Sequence, residues 1–418
     1  MPAADAEVLI VGAGPVGLLL ACFLGRTGIP TILLERRSSR GPGSKAIGIT
    51  PTSLEVLAEL GLVDRFLARG VQVRSAAVHA DEDARPRPLA RLELGGPGAA
   101  FPFILSLPQV DTEALLREAL GRWPAVRLRE GTEAVEVRQE SSSVTVRARG
   151  PSGGETLLRA PLLAACDGAG SPMAGLLGLR RRVRRFPVAF RMGDYRDESG
   201  LGPVAHLYFT RLGSVESFPM PGGLRRWIVQ ATGAEEPEPS FEKVEAQVLA
   251  RTGQRLDPGG RVWASAFRPE RTELERFRAG RVVFCGDAAH TMPPIGGQGM
   301  NTGFADARLL ARVLERCRRG GENLENLLAL YEPYRRTGFR AAARRSRLFM
   351  GVGTLRAAAP RALRNLLVPV LTRPPLSRTL VGHFTMVNVP YSTLSGVLAR
   401  ERRLRLAGEG QADEASGG

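Results

Sequence analysis

Residues 7–35 leave few folds open to this chain. Glu7 to Val11 is a short apolar strand. Gly12-Ala13-Gly14-Pro15-Val16-Gly17 follows, and an apolar helix then runs to about Thr27. Gly28-Ile29-Pro30 breaks the helix, and Thr31 to Leu34 gives a second strand ending at Glu35. Strand, GxGxxG, helix, strand and acid, in that order, form the dinucleotide fingerprint in its required context. Gly12 permits the tight turn, Gly14 lets the backbone approach a pyrophosphate, and Gly17 lets the helix pack close to the sheet. Glu35 stands at the distance from which a carboxylate accepts hydrogen bonds from an adenosine ribose. It disfavours a 2′-phosphate there, an argument that Arg36 and Arg37 soften. The run Val8 to Gly25 carries no charge, but its glycines, its proline and the preceding Asp5 and Glu7 argue for a core strand-turn-helix. A signal peptide would begin with basic residues.

Two later stretches follow the same logic. Residues 281–307, RVVFCGDAAHTMPPIGGQGMNTGFADA, read as an apolar strand (Arg281 to Cys285), then Gly286-Asp287, a Pro/Gly-rich loop and the start of a helix. Gly286, Gly296, Gly297, Gly299 and Gly303 suit a loop whose backbone comes close to a ligand. Pro293-Pro294 stiffens the turn. The helix begins near Gln298 to Asn301, so its unpaired N–H groups and positive dipole end face the loop. That suits an anion, or a ring that becomes anionic during turnover. A helical hairpin with a glycine-rich connector is the alternative. Leu162 to Cys166 is likewise an apolar strand, ending in Asp167-Gly168-Ala169-Gly170-Ser171. Ligands of open α/β sheets collect at strand C-termini, so Gly12–Gly17, Asp167-Gly168 and Gly286-Asp287 point to one crevice.

Between these anchors the chain reads in coarser blocks. A helix starts at Pro51 and ends at Gly61, and residues 71–105 look like antiparallel strands inserted into the parallel fold. Asp111 is a candidate N-cap for a helix from Thr112 to Leu120. Segments near 125–129, 132–138, 143–149 and 156–160 resemble a β-meander. A second, mostly antiparallel sheet is expected over about 183–195, 203–210, 214–220 and 225–231. A helix near 240–252 and a strand at 261–267 follow. Such a lobe makes a natural wall for a substrate pocket. Phe186, Phe190, Met192, Tyr208, Phe218, Met220 and Trp227 are candidates for lining it, or plain core. The rest reads as helices, about 298–318, 324–350 and 353–370, with a disordered tail at 408–418.

Composition narrows the function classes. Net charge is +16, and lysine occurs only at Lys45 and Lys243, so the excess is arginine spread along the chain. No basic helix-turn-helix, zinc or aromatic-stacking module accompanies it, so nucleic acid is not the expected partner. Weak attraction of the basic C-terminal helices to acidic membrane surfaces is a further expectation. Cys22, Cys166, Cys285 and Cys317 form no CxxC pair. With His79, His206, His290 and His383 dispersed as well, no metal site is expected. Unpaired cysteines fit a reduced, cytoplasmic setting. His290 reads either as a loop-orienting hydrogen bonder or as a ring contact, and Asp306 as structural.

The fingerprint and the two acid–glycine sites together resemble the flavin-dependent aromatic hydroxylases of the p-hydroxybenzoate hydroxylase type, the class A monooxygenases, over roughly residues 5–350. The most specific piece is Gly286-Asp287-Ala288-Ala289-His290 with Pro293-Pro294 and Gly296-Gly297-Gln298-Gly299-Met300-Asn301. The resemblance implies an α/β fold: a Rossmann-like FAD-binding domain, an interleaved and mostly antiparallel β-sheet substrate domain, and a C-terminal helical region. The expected boundaries are 1–175 and 276–350 for the FAD-binding parts, 176–275 for the substrate domain, 351–407 for the helices and 408–418 for the tail. Asp287 would hold the ribityl chain of FAD, and the backbone after Pro293 would run along the flavin ring. Glu35 would bind the adenosine ribose, with Gln109 beside the flavin. Lys45 stands where the family usually has an arginine. One departure is that the family's Asp-Gly-x-x-Ser-x-x-Arg motif meets Asp167, Gly168 and Ser171, but Ala174 replaces the arginine. In the family that segment is linked to both FAD and NAD(P)H. Another is the absence of the thioredoxin-like C-terminal domain carried by longer polyketide hydroxylases, for which this chain is too short.

The implied reaction joins NAD(P)H, O₂ and an electron-rich aromatic or polyketide-like substrate through a flavin C4a-hydroperoxide. No catalytic side chain is assigned, because the flavin carries the chemistry; His290, Pro293 and Pro294 are the candidates near the ring. A flavin-dependent reductase, a Baeyer–Villiger oxygenase on a hydrophobic substrate, and a flavin-binding or basic surface-binding protein without turnover are the alternatives.

Overall fold

The computed structural model describes residues 4–39, 43, 45–81, 86–95, 99–231 and 238–387. The expected tail at 408–418, and the part of the C-terminal region beyond 387, lie outside them. Six strands form the first sheet, in the order Arg278–Ala279, Val282–Phe284, Leu162–Ala165, Val8–Val11, Thr31–Glu35, Val126–Glu130. All pairings are parallel except that of the edge strand Arg278–Ala279. Val11 is level with both Ala165 and Leu34, and Ala165 with Phe284. One row across the sheet therefore ends the three strands that the sequence singles out.

The helix Pro15–Arg26 has no side-chain cap. Burial holds it instead: Leu18, Leu19, Leu20 and Leu24 are fully enclosed, worth roughly 1.5–3 kcal/mol apiece. The long helix Gln298–Gly320 packs against it closely enough that a Cβ on Gly303 would lie 2.5 Å from Val16. Gly286, at φ +61°, is also crowded: a Cβ there would lie 2.9 Å from the same side chain.

Seven strands make the second sheet, in the order Arg261–Phe267, Phe190–Arg196, Leu224–Gln230, Gly213–Met220, Ala205–Thr210, Ser75–Asp81, Pro86–Glu93. Ser75–Asp81 joins in parallel to Ala205–Thr210, with Ala76 opposite Ala205. The strands of 71–105 thus do not form an insert of their own within the parallel fold; two of them complete the seven-stranded sheet. The segment 183–195 also divides. Arg181–Arg185 pairs with Glu270–Leu274 in a separate three-stranded sheet, and only Phe190–Arg196 enters the large one. Of the expected meander, Glu133–Gln139, Val144–Arg149 and Glu155–Ala160 form an antiparallel sheet, whereas Val126–Glu130 is the edge of the parallel one. The helix Gln109–Leu120 starts two residues before Asp111, which lies in its first turn and does not cap it.

Helices Gln298–Gly320, Leu324–Gly353, Ala358–Leu371 and Leu376–Phe384 complete the described chain. Among the described residues no helix is long and apolar enough to cross a membrane. In Ala358–Leu371 the buried residue is Arg364, whose guanidinium donates to the Phe209 carbonyl at 3.1 Å, while Leu363, Leu366 and Val370 are exposed. The four cysteines are unpaired.

Candidate active site

The three level strand ends open into a single cavity of about 1060 Å³. Its inner end is built largely from backbone. Gly12, at φ +102°, is packed so tightly that a Cβ would meet the Cys166 carbonyl oxygen at 2.4 Å. Gly17 is closer still, 1.9 Å from the Gly12 carbonyl oxygen. Gly14 and Gly299 behave differently: both line the cavity, and a Cβ on either would meet nothing within 4 Å. The first two glycines serve packing, and the last two present bare backbone to a ligand.

Glu35 lines the same end. Its Oε2 accepts from the Ala13 amide at 2.8 Å, and its Oε1 accepts from the amide and guanidinium of Arg37, both at 3.0 Å. Burial pushes this carboxyl up, but the bonds from Arg37 and Ala13 outweigh it and hold Glu35 below the usual carboxylate range. Asp167 accepts from the Met173 amide at 2.9 Å through Oδ2, while its buried Oδ1 has no partner. Burial raises its pKa. Asp287 is exposed towards the cavity; desolvation by the protein around it raises its carboxyl too, and Asp306 adds to the rise, against His290 and Arg181.

The loop after Asp287 is held by groups that do not themselves line the cavity. Asp306 is the hub: its Oδ2 accepts from the Gly286 amide and from His290 Nε2, each at 2.8 Å, and its Oδ1 accepts from Arg335. All three side chains are buried, and His290 stacks on Phe339 with ring centroids 4.5 Å apart. Burial raises the Asp306 carboxyl, but Arg335 and His290 prevail and keep it low. Ser346 donates to the Pro293 carbonyl at 2.6 Å. Asn301 accepts from the Thr50 amide at 3.0 Å and donates to the Gly48 carbonyl at 2.9 Å. Gln298 donates to the His383 carbonyl at 3.0 Å. The helix starting at Gln298 has Gly297 (φ +65°) as N-cap with no side-chain bond to its first amides, so these remain available beside the cavity-lining Gly297, Gly299 and Met300.

Of the residues singled out in the sequence, Gly12, Gly14, Pro15, Val16, Glu35, Arg36, Lys45, Gln109, Asp167, Asp287, Pro294, Gly297, Gly299 and Met300 line the cavity. Gly17, Gly286, Gln298 and Asn301 stand behind it. His290 and Pro293, candidates for contact with a ring, also lie outside its wall: His290 is turned away by its bond to Asp306, and Pro293 is held from behind by Ser346. Gln109 donates to Glu113 at 2.9 Å, and the Lys45 ammonium lies 5.6 Å from the Phe267 ring centroid.

Arg181, one of five arginines in the run 180–185, carries no signal of its own in the sequence. Its guanidinium donates to the Ala169 carbonyl and, at 3.1 Å, to the Ala288 carbonyl, tying together the loops after both acid–glycine pairs. Ala174, where a basic side chain was expected, is buried in the short helix Pro172–Leu176 and capped by Ser171.

The far wall is one face of the seven-stranded sheet. Met192, Ile228, Glu216, Leu207 and Val78 lie side by side across five strands, and all line the cavity. Phe190 and Phe218 extend that face. Of the other aromatic candidates, Tyr208 and Trp227 pack on the opposite face with Val244 and Val248; Phe186 and Met220 are buried but outside the cavity wall. Phe349, Val368, Leu380 and Phe384 close the space from the helical side.

The family model described as "FAD binding domain" matches residues 5–346. The chain belongs to that family. Within it, the rifampicin monooxygenase of Streptomyces venezuelae is 31% identical over 414 residues, covering 96% of this chain and 82% of the relative. The 6-methylpretetramide 4-monooxygenase of Streptomyces rimosus is 33% identical over 88% of this chain, which spans 65% of that enzyme. Among solved structures, the p-nitrophenol 4-monooxygenase of Pseudomonas putida superposes with a TM-score of 0.84 at 25% identity, over 93% of this chain and 99% of that one. The family's cofactor fits the residues present. Gly14 and Gly299 offer backbone without obstruction, and Asp167 Oδ1 is a buried acceptor awaiting a donor. The chain is an FAD-dependent oxidoreductase of the class A monooxygenase type.

Proposed function

We propose that this enzyme hydroxylates a polycyclic aromatic or polyketide-like molecule, using NAD(P)H as reductant and O₂ as oxidant. The observation that carries the reading is the shape of the single cavity: bare backbone and carboxylates at one end, an apolar sheet face at the other. Bound FAD supplies the redox chemistry, activating O₂ after reduction. The chain's own residues bind, orient and keep the space dry. Glu35 would receive the adenosine ribose, the bare backbone at Gly14 the pyrophosphate, and Asp287 the ribityl hydroxyls. The amides at the start of Gln298–Gly320 would stabilise the negative charge that the flavin gains on reduction, with no proton donor needed. Gln109 and Lys45 would flank the ring, and Arg181 fixes the two loops that carry Asp167 and Asp287. The apolar face from Phe190 to Phe218 excludes water from the reacting ring. A cytoplasmic setting, with NAD(P)H at hand and thiols reduced, belongs to the same reading.

The test is direct. Purified protein should be yellow, and a panel of hydroxylated tri- and tetracyclic aromatics should include one that accelerates NAD(P)H oxidation, with one O₂ consumed and one oxygen atom gained in the product mass. Colourless protein that cannot be reconstituted with FAD sinks the reading. An FAD-loaded protein that reduces a substrate without oxygen gain favours a reductase.

A further inference from the structure

We propose that Glu216 is the polar anchor of the substrate pocket: an ionised carboxylate that accepts a hydrogen bond from a hydroxyl on an otherwise apolar aromatic substrate, and so selects for hydroxylated rings. The inference rests on the monooxygenase reading above and adds a recognition rule to it.

The sheet register places Glu216 in the middle of the apolar wall, with Leu207 opposite it on one side and Ile228 on the other. The row continues to Met192 and Val78, and every member lines the cavity. Among the described residues no group forms a hydrogen bond or ion pair with the Glu216 carboxylate. A carboxylate in that position is costly, because an unpaired buried acceptor forfeits its water and gains no partner. Any apolar side chain would complete the wall more cheaply. The group makes sense where a ligand brings the missing donor.

Charged groups on the surrounding elements are already engaged. Asp194 and Arg226, on the same sheet face, bind each other through two bonds of 2.7 Å. Arg364, from the helix Ala358–Leu371, donates to the Phe209 carbonyl and lies over that ring. Arg251 donates to the Ser214 carbonyl at 3.2 Å. Asp287, Asp167 and Glu35 belong to the strand ends of the parallel sheet. Burial alone therefore sets the titration of Glu216, raising it to about 7. The site is thus poised: a neutral O–H donor stabilises the ionised form, and its binding draws the carboxyl toward ionisation. A hydroxyl suits this wall better than an ammonium group, whose own desolvation would be heavier.

The probes are 2-naphthol and 2-methoxynaphthalene, which share a ring system and differ in the donor. Binding to the FAD-loaded protein is followed by flavin absorbance at pH 8.0 and 5.5, on samples whose FAD content and O₂ uptake are also measured. Wild type should prefer the naphthol by about 10-fold at pH 8.0, with most of that preference lost at pH 5.5. Glu216→Gln should keep a smaller preference that does not change with pH, and Glu216→Leu should show none. Undiminished preference in Glu216→Leu, or equal wild-type preference at both pH values, overturns the anchor while FAD content and O₂ uptake leave the enzymatic reading standing. If FAD-loaded wild type binds neither naphthalene, the recognition rule fails. Wild type without FAD takes the enzymatic reading down with it.

Discussion

The two ends of the cavity are made in different ways. At the inner end the chain presents backbone: glycines with no room for a Cβ, glycines with nothing but space around them, and strand ends held level by the sheet. At the outer end it presents side chains on a seven-stranded sheet, where Met192, Ile228 and Leu207 could each be another apolar residue of similar volume. Backbone sites depend on residue type at fixed spacing, whereas side-chain walls tolerate exchange. The inner end should therefore fail sharply on substitution and the outer end gradually, with Glu216 as the exception.

The strongest test of that contrast is Asp306→Ala. It removes the carboxylate that Arg335 donates to, together with the anchor of the Gly286 amide and His290. An uncompensated buried charge costs about 3–5 kcal/mol, which a urea melt should report as a large drop in midpoint along with lost FAD. Glu216→Gln should come next, with the opposite sign. The folded-state pKa of Glu216 is raised from the usual 4.5 to about 7. Its contribution is thus fully present below 4.5 and lost as pH rises towards 7, where the unfolded chain ionises first. Relative to wild type, the glutamine variant should gain about 3 kcal/mol between those pH values; a difference flat with pH would break the exception. Asp287→Ala should leave the apoprotein melt nearly unchanged while weakening FAD binding on the order of 10–100-fold, the cost of losing a charged hydrogen-bond acceptor. Fluorescence titration with FAD measures it. Smallest of all, Leu366→Ser on the exposed side of its helix should move stability by no more than about 0.5 kcal/mol.

What was legible in the sequence follows the same division. The unit from Val8 to Glu35 and both acid–glycine strand ends could be read because turn, close approach and level strand ends each demand glycine or a short acid. The sheet strands at 205–230 could be placed from alternation, but not the face each would show. Tyr208 and Trp227 point away from the cavity, and Phe190 and Phe218 towards it, since period-2 alternation fixes relative faces and leaves open which is covered. Arg181 was invisible because one arginine in a run of five looks the same whether it faces water or two carbonyls. Glu216 did carry a signal: it is the acid at an apolar phase of the segment Ser214–Met220, a mismatch that becomes informative once both faces of the strand are known to be buried.

The parallel join between Ser75–Asp81 and Ala205–Thr210 bears on how the molecule comes to be. Contacts so distant along the chain close slowly, because loop entropy is lost before the pairing returns anything. The wall above the inner crevice cannot finish until a segment made early has waited for one made much later. A fragment cut at 176–275 would keep five of the seven strands and expose the edge of Ala205–Thr210 as a template for sticking to its neighbours. Such a fragment should aggregate during synthesis, and adding residues 71–95 in trans should rescue part of it.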